Sequence, residues 1–269
     1  MVCHTGIVAA SAVRRGAYGN CILWLDAADP ACVFRDAAGT TPAVANDVVN
    51  RWKDKSSAHN DATYDKSAGT LRTDSVTGRT LLRGCIGMSL ANPYLLSPCA
   101  GMTLFAVMQV DGGITQDGGS LCMSPLCQYT NELPLINYNN AWYETLGYSN
   151  RTTRWTMTTA ANWSTTTAPW STTYRRLVYT IVANPTTNQT VVYQSDATTQ
   201  VWNSTFSRSY WTNACPVTVG WCFHPSQQKN FYFYGDLAEM LVFNTALTAT
   251  TYPRLGDVAA SLRTKWAVT

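Results

Sequence analysis

Along this chain, apolar runs of four to eight residues, rich in β-branched and aromatic side chains, are repeatedly cut off before they reach helical length. The runs fall at 22–25, 48–52, 80–86, 103–110, 133–138, 176–183, 190–194, 217–222, 231–234 and 237–243. Between them stand turn signals such as Asp111-Gly112-Gly113, Asp117-Gly118-Gly119, Asn139-Asn140 and Asn184-Pro185. Runs of this length bounded by Gly, Pro, Asn and Asp read as strands, and many of them in series read as a sandwich or barrel. Two runs are apolar on both faces. Leu104, Ala106 and Met108 alternate with Phe105, Val107 and Gln109, and Leu177, Tyr179 and Ile181 alternate with Val178, Thr180 and Val182. A strand of that kind is covered from both sides. Helical periodicity is confined to the C-terminus, where Leu255, Val258, Ala259, Leu262 and Trp266 form one stripe, with Pro253 expected in its first turn. The pattern predicts an all-β fold, a two-sheet antiparallel β-sandwich of the jelly-roll kind, closed by a short C-terminal α-helix.

No internal repeat and no Pro- or Ser-rich linker divides the 269 residues, so one domain over 21–269 is expected, preceded by an N-terminal arm over 1–20. Apolar side chains for a core are plentiful, at 46% hydrophobic and 12% aromatic, which excludes a disordered chain. Charge is scarce: 13% of residues, against about 25% in ordinary soluble domains. A net charge of +3 spread over the chain gives no electrostatic basis for binding nucleic acid. The space that charges usually occupy is filled by 37 Thr and 18 Ser.

Residues 84–110 carry a single uninterrupted absence of charge, but Asn92, Pro93, Ser97 and Pro98 interrupt their middle. Polar groups and broken backbone hydrogen bonds there would be costly in hydrocarbon, so two strands and a turn are expected in place of a membrane span. At the N-terminus a short apolar run precedes Arg14 and Arg15, the reverse of a secretory leader, and none is read.

Nine cysteines, an odd number, are scattered without the spacing of a disulfide scaffold, and buried free thiols are the expectation. Cys215, Cys222 and His224 lie near one another in sequence, yet at a spacing that fits no common zinc site. No nucleophile elbow, phosphate-cradling Gly loop or HExxH segment occurs. Of three Glu, none opens a Glu-x-Asp-x-x-Glu strand; Asp236 and Glu239, three apart, are expected on opposite faces of a strand, in structural bonds or an ion pair. The chain is therefore read as not an enzyme, with a glycoside hydrolase as the second alternative.

Two segments carry a resemblance. Near the start stand Leu23-Trp24-Leu25-Asp26-Ala27, then Arg51-Trp52-Lys53-Asp54-Lys55-Ser56 and Asn60-Asp61-Ala62-Thr63; near the end stand Gly235-Asp236-Leu237-Ala238-Glu239 and Lys265-Trp266. Together, and in this order, they resemble the opening and closing motifs of laminin G-like jelly-roll modules in the concanavalin A-like lectin/glucanase superfamily. Ser57 departs from it, standing where many relatives have Gly, and 111–230 matches only loosely. The resemblance implies a jelly-roll fold for 21–269. It implies no single function, because such folds serve binders, adhesion modules, enzymes and structural parts alike.

The middle of the chain, 149–175, is dominated by Thr and Trp. Sugars stack their apolar face on an exposed aromatic ring while amides and hydroxyls fix the polar edge. Trp142, Tyr148, Trp155, Trp163 and Trp170 are the candidate glycan-binding residues on that ground. Calcium is a minor option through Asp111, Asp117 or the Asp26 and Asp29 pair, which lie in or near turns where Asp also serves the turn itself; no other cofactor is implied. Low charge, unpaired thiols and the missing leader together point to a non-catalytic structural or attachment subunit, its arm over 1–20 docked on a neighbour. A virion or particle surface fits that description, with other protein subunits, and glycans, as partners. The alternative is a free lectin module, extracellular by a non-classical route.

Overall fold

The computed structural model describes residues 19–93, 101–110, 126–128, 145–149, 152–156, 163–164, 176–184, 186–187, 189–194, 199–205, 217–224 and 229–268. In chain order the strands are β1 (Cys21–Asp26), β2 (Val33–Phe34), β3 (Arg51–Trp52), β4 (Ala62–Ser67), β5 (Thr70–Thr73), β6 (Thr80–Leu90), β7 (Met102–Val110) and β8 (Leu126–Gln128). There follow β9 (Thr145–Ser149), β10 (Thr152–Thr156), β11 (Trp163–Ser164), β12 (Leu177–Asn184), β13 (Gln189–Gln194) and β14 (Thr199–Thr205). The last are β15 (Val217–Val219), β16 (Trp221–His224) and β17 (Lys229–Phe243), before the helix α1 (Leu255–Trp266).

Two antiparallel sheets make an all-β sandwich. The first runs β14-β13-β12-β7-β17, and on the far side of β17 its Glu239–Phe243 end pairs with β1 while Phe233–Leu237 pairs with β6. The second runs β2-β3-β4-β6-β15-β8. Strand β6 belongs to both: Thr80–Ile86 lie in the first sheet and Gly87–Leu90 in the second. The passage falls between Ile86 and Gly87, two residues after Gly84, whose φ of +106 is a conformation that side-chain-bearing residues avoid. A separate three-stranded ladder runs β11-β10-β9.

The core between the sheets contains Leu23, Trp52, Ile86, Met88, Leu104, Met108, Ile181, Val219, Phe233 and Met240. A second apolar layer lies on the outer face of the first sheet, where α1 sets Leu255, Val258, Ala259, Leu262 and Trp266 against Trp24, Phe105, Val107, Val178 and Phe243. That layer explains why β7 and β12 are apolar on both sides: one face fills the sandwich and the other is roofed by the helix. The buried face of α1 is the stripe expected from the sequence.

Pro253 is not in the helix. Arg254 is extended, at φ −78° and ψ 144°, and the helix starts at Leu255, whose N–H donates to the Thr248 carbonyl. At the other end Ala267 takes a left-handed conformation and its N–H returns to the Arg263 carbonyl. Several strand boundaries also differ from expectation. The two runs at 231–234 and 237–243 are one continuous strand through Gly235, and the run at 217–222 is split by Gly220. Of 48–52 only Arg51 and Trp52 form a strand, with Val48 making an isolated bridge to Thr70. The run at 133–138, the turns at 111–113, 117–119 and 139–140, and the arm to residue 18 lie outside the described residues. Among the described residues, no helix is long and apolar enough to cross a membrane; the uncharged run at 84–110 contributes to strands β6 and β7.

Candidate functional site

The residues of the two terminal motifs meet in space, and what they build is scaffold. Strands β1 and β17 place Asp26 opposite Glu239. Trp24 donates its indole N–H to Glu239 Oε1 at 2.8 Å, and Trp266 donates to Oε2 at 2.7 Å. Lys265 Nζ lies 2.7 Å from Glu239 Oε2 and 2.8 Å from Asp26 Oδ1. Lys55 Nζ holds Asp26 Oδ2 at 2.8 Å and Asp29 Oδ2 at 2.9 Å. Both ammonium groups also sit over indole rings, Lys55 at 4.7 Å from the centre of Trp24 and Lys265 at 5.3 Å from that of Trp266.

Burial, and then the neighbouring Asp26 charge, push the Glu239 carboxyl above its usual range, against the pull of Lys265 and the Trp266 indole. For Lys55, burial disfavours the ammonium, but Asp26 and Asp29 outweigh it and hold it above its ordinary value. The Asp26 and Asp29 pair, the minor option for calcium, is engaged by lysines. Among the described residues, no group of three or more His, Cys, Asp or Glu is arranged to hold a metal ion. Asp111 and Asp117 lie outside the described residues.

Asp54 and Asp61 fasten the loop after β3. Asp54 accepts from the backbone N–H groups of Trp24 at 2.7 Å, Ser56 at 2.8 Å and Asn60 at 2.7 Å, and from the Ser56 hydroxyl at 2.6 Å. Asp61 accepts from Arg51 Nε at 3.0 Å and Nη2 at 2.7 Å, and from the Asp54 N–H at 2.8 Å. These bonds satisfy buried backbone donors that no ladder reaches.

Asp236 and Glu239 do not lie on opposite faces. A bulge between Leu237 and Glu239 inserts Ala238 into β17, so the alternation slips by one. Leu237 and Met240 face the sandwich core, whereas Ala238 joins the layer under α1, Glu239 bonds Trp266, and Asp236 lines a cavity beside Ala267 and Val268. Structural pairing was expected for both carboxylates and is found: Glu239 with Lys265, and Asp236 with Arg83 Nη1 at 3.4 Å.

That cavity, of about 620 Å³, opens where the β5–β6 turn meets the C-terminal end of α1. Its polar wall contains Arg72, Asp74, Arg83, Gln109, Arg176 and Asp236, and its apolar wall Val76, Leu81 and Val268. Arg83, Asp236 and Gln109 form one cross-strand row over β6, β17 and β7. Arg176 grips Asp74 with both terminal nitrogens, Nη1 to Oδ2 at 2.8 Å and Nη2 to Oδ1 at 2.7 Å. Asp74 also accepts from the Thr77 N–H at 2.9 Å and from its hydroxyl. The Arg176 contact above all, with the Thr77 bonds, holds the Asp74 carboxyl far below the usual carboxylate range, against a burial effect of opposite sign. Of these residues only Asp236 was singled out from the sequence, and not as part of a cavity, because the others are scattered from 72 to 268 and only strand register assembles them.

Of the aromatic candidates, Tyr148 is in β9, Trp155 in β10 and Trp163 in β11; Trp142 and Trp170 lie outside the described residues. Trp155 and Trp163 are direct register partners. Tyr148 is paired with Thr153, and Leu146 with Trp155. Since paired residues share a face and the alternation has period two, positions 148, 155 and 163 belong to one face of the ladder. Cys21 and Cys32 are buried free thiols, each pushed up to about 12, chiefly by burial. Cys215 lies outside the described residues, as do the side chains of Cys222 and His224.

No family model and no curated protein sequence matches the chain. Solved structures do. Trypanosoma rangeli sialidase is similar at 14% identity and a TM-score of 0.52, over 98% of this chain and 36% of that one. The same sialidase in complex with sialic acid gives 15% identity and a TM-score of 0.52 over the same shares, 98% and 36%. The binding domain of botulinum neurotoxin serotype D/C VPI 5993 gives 10% identity and a TM-score of 0.50, over 91% of this chain and 53% of that one. The chain spans about a third of the sialidase and about half of the toxin structure. At such identities the likeness is one of fold.

Proposed function

We propose that this chain is a non-catalytic attachment module of the concanavalin A-like, laminin G-like kind, carried on a surface assembly such as the exterior of a virion, and that it contacts glycans. The observation that carries the glycan reading is the register of the small ladder, which sets Trp155 opposite Trp163 and puts Tyr148 on the same face. Aromatic positions grouped in this way suit the apolar face of a sugar ring. A sialidase seen with sialic acid and a toxin binding domain share the fold, which is compatible with this use and does not assign it.

The non-catalytic part rests on where the carboxylates are. Asp26, Asp54, Asp74, Asp236 and Glu239 are the buried carboxylates among the described residues, and each is bound by cations, indoles or backbone N–H groups. A hydrolase of this fold needs two available carboxyl groups about 5–9 Å apart across a cleft. Asp74 and Asp236 do line the cavity beside α1, but Asp74 is clamped by Arg176 and Asp236 is paired with Arg83. The assembly part rests on a chain composition with only 13% charged residues, against about 25% in ordinary soluble domains.

The test is a glycan array probed with the whole protein and with Trp142→Ala, Trp155→Ala, Trp163→Ala and Trp170→Ala. Binding that weakens at least tenfold in the Trp155 and Trp163 variants supports the reading, and a flat array with the folded protein refutes it. Light scattering separates the rivals, since a well-folded monomer that binds the array is the free lectin instead.

A further inference from the structure

We propose that the cavity bounded by the β5–β6 turn, the Arg83–Asp236–Gln109 row and the end of α1 is a binding site for a sugar acid, that is, a monosaccharide unit carrying one carboxylate. This site is separate from the aromatic ladder and does not depend on it.

Size comes first. At about 620 Å³ the cavity falls within the range of about 300–1,000 Å³ typical of small-ligand sites, and it is far larger than a simple anion needs. Charge comes second. Three guanidinium groups, of Arg72, Arg83 and Arg176, stand against two carboxylates, of Asp74 and Asp236, so the wall carries a net charge of +1. Guanidinium groups present paired N–H donors that match a carboxylate, and the Arg83 side chain, 52% exposed, is far more open to an incoming group than that of Arg176, at 13%.

The second half of the recognition is for hydroxyl groups. An ionised carboxylate only accepts hydrogen bonds, and Gln109 both donates and accepts. Asp236 and Gln109, neighbours in the cross-strand row, therefore suit a ligand with O–H groups beside its charge. A multiply charged anion such as phosphate would bring its charge against Asp74 and Asp236. A sugar acid carries one charge and several hydroxyls.

One further observation bears on the same place. Val76, in the turn after β5, is 74% exposed and lines the cavity with Leu81 and Val268. An exposed apolar side chain at the rim of a charged cavity suits the C–H face of a pyranose ring.

The experiment is isothermal titration calorimetry of the whole protein with methyl glucuronide and methyl galacturonide, each against its neutral methyl glycoside, and with inorganic phosphate. At least one of the acids is expected to bind, about tenfold or more tighter than its neutral glycoside, the worth of a charge-assisted hydrogen bond. Arg83→Gln, a change at an exposed side chain, is expected to abolish that preference while leaving the unfolding temperature within a few degrees of the parent. Trp155→Ala is expected to leave the acid's affinity unchanged, so that failure of the ladder as a glycan site and failure of this cavity are told apart. The proposal is overturned if neither acid binds, if acid and neutral glycoside bind equally, if phosphate matches the acids, or if the folded Arg83→Gln protein keeps the preference.

Discussion

Trp24 and Trp266, from opposite ends of the chain, donate their indole N–H groups to the two oxygens of a single carboxylate, that of Glu239. The arrangement ties the first strand to the last helix through the longest strand, and Lys265 and Asp26 complete it. Removing the carboxylate leaves two indole donors without their acceptor and Lys265 with Asp26 alone. Breaking a buried ion pair typically costs about 3–5 kcal/mol, and the 27% exposure of Lys265 argues for the lower end. Glu239→Ala is expected to destabilise the protein by about 3 kcal/mol in urea unfolding, with Glu239→Gln losing less because one indole keeps an acceptor.

The same carboxyl and that of Asp74 act on stability with opposite sign as pH changes. The folded-state value of Asp74 is depressed, so its stabilisation is present above about 3.9, the unfolded value, and is lost as pH falls toward the folded one. That of Glu239 is raised, so its share is complete below about 4.3 and is lost as pH rises through the folded value. Asp74→Asn is expected to flatten the acid limb of a stability-versus-pH curve below pH 4. Glu239→Gln is expected to flatten the decline above it. Unfolding midpoints measured from pH 2 to 8 for both variants check each limb separately.

Gly220 and Gly78 share a left-handed backbone but not their surroundings. Gly220 has φ +72 and Gly78 φ +68, yet a Cβ on Gly220 would stand 2.6 Å from the Ile86 carbonyl oxygen while one on Gly78 meets nothing within 4 Å. Gly78→Ala should therefore cost only the conformational strain, about 1–2 kcal/mol. Gly220→Ala is expected to cost more than this, because backbone rather than a flexible side-chain tip must move. Comparing the two unfolding temperatures isolates the contact from the strain; equal losses would show that the close approach to Ile86 carries no weight.

Cys21 and Cys32 are expected to resist alkylation by iodoacetamide at pH 8 in the folded protein and to react once it is unfolded. Both thiols lie near 12, so the reactive thiolate is scarce, and both are buried. Peptide mapping after alkylation, with and without denaturant, gives the answer.

Much of this architecture is legible in the sequence where a single element carries its own period. The stripe Leu255, Val258, Ala259, Leu262 and Trp266 is the buried face of α1, and the two apolar faces of β7 correspond to the two layers it separates. Strands β4 and β5 escape such a reading because they are largely polar: Thr63, Asp65 and Lys66 in one, Thr70, Arg72 and Thr73 in the other, leave one clearly apolar position, Leu71, in the second. The bulge at Ala238 is invisible for a different reason. One extra residue reverses the facing of everything beyond it, and only the partner strand reveals the count. The cavity wall is hidden in the same way, since Arg83, Asp236 and Gln109 become neighbours through register alone.

Strand β6 gives the sandwich a property that side-chain packing between layers would not. Because its backbone runs unbroken from one sheet into the other between Ile86 and Gly87, shear between the layers must strain a continuous chain as well as slide apolar surfaces past one another. A pull applied at the β8–β15 edge therefore reaches β17 along a peptide chain and its ladder of hydrogen bonds. Tension on that edge is therefore carried along one chain as well as across the packed layers.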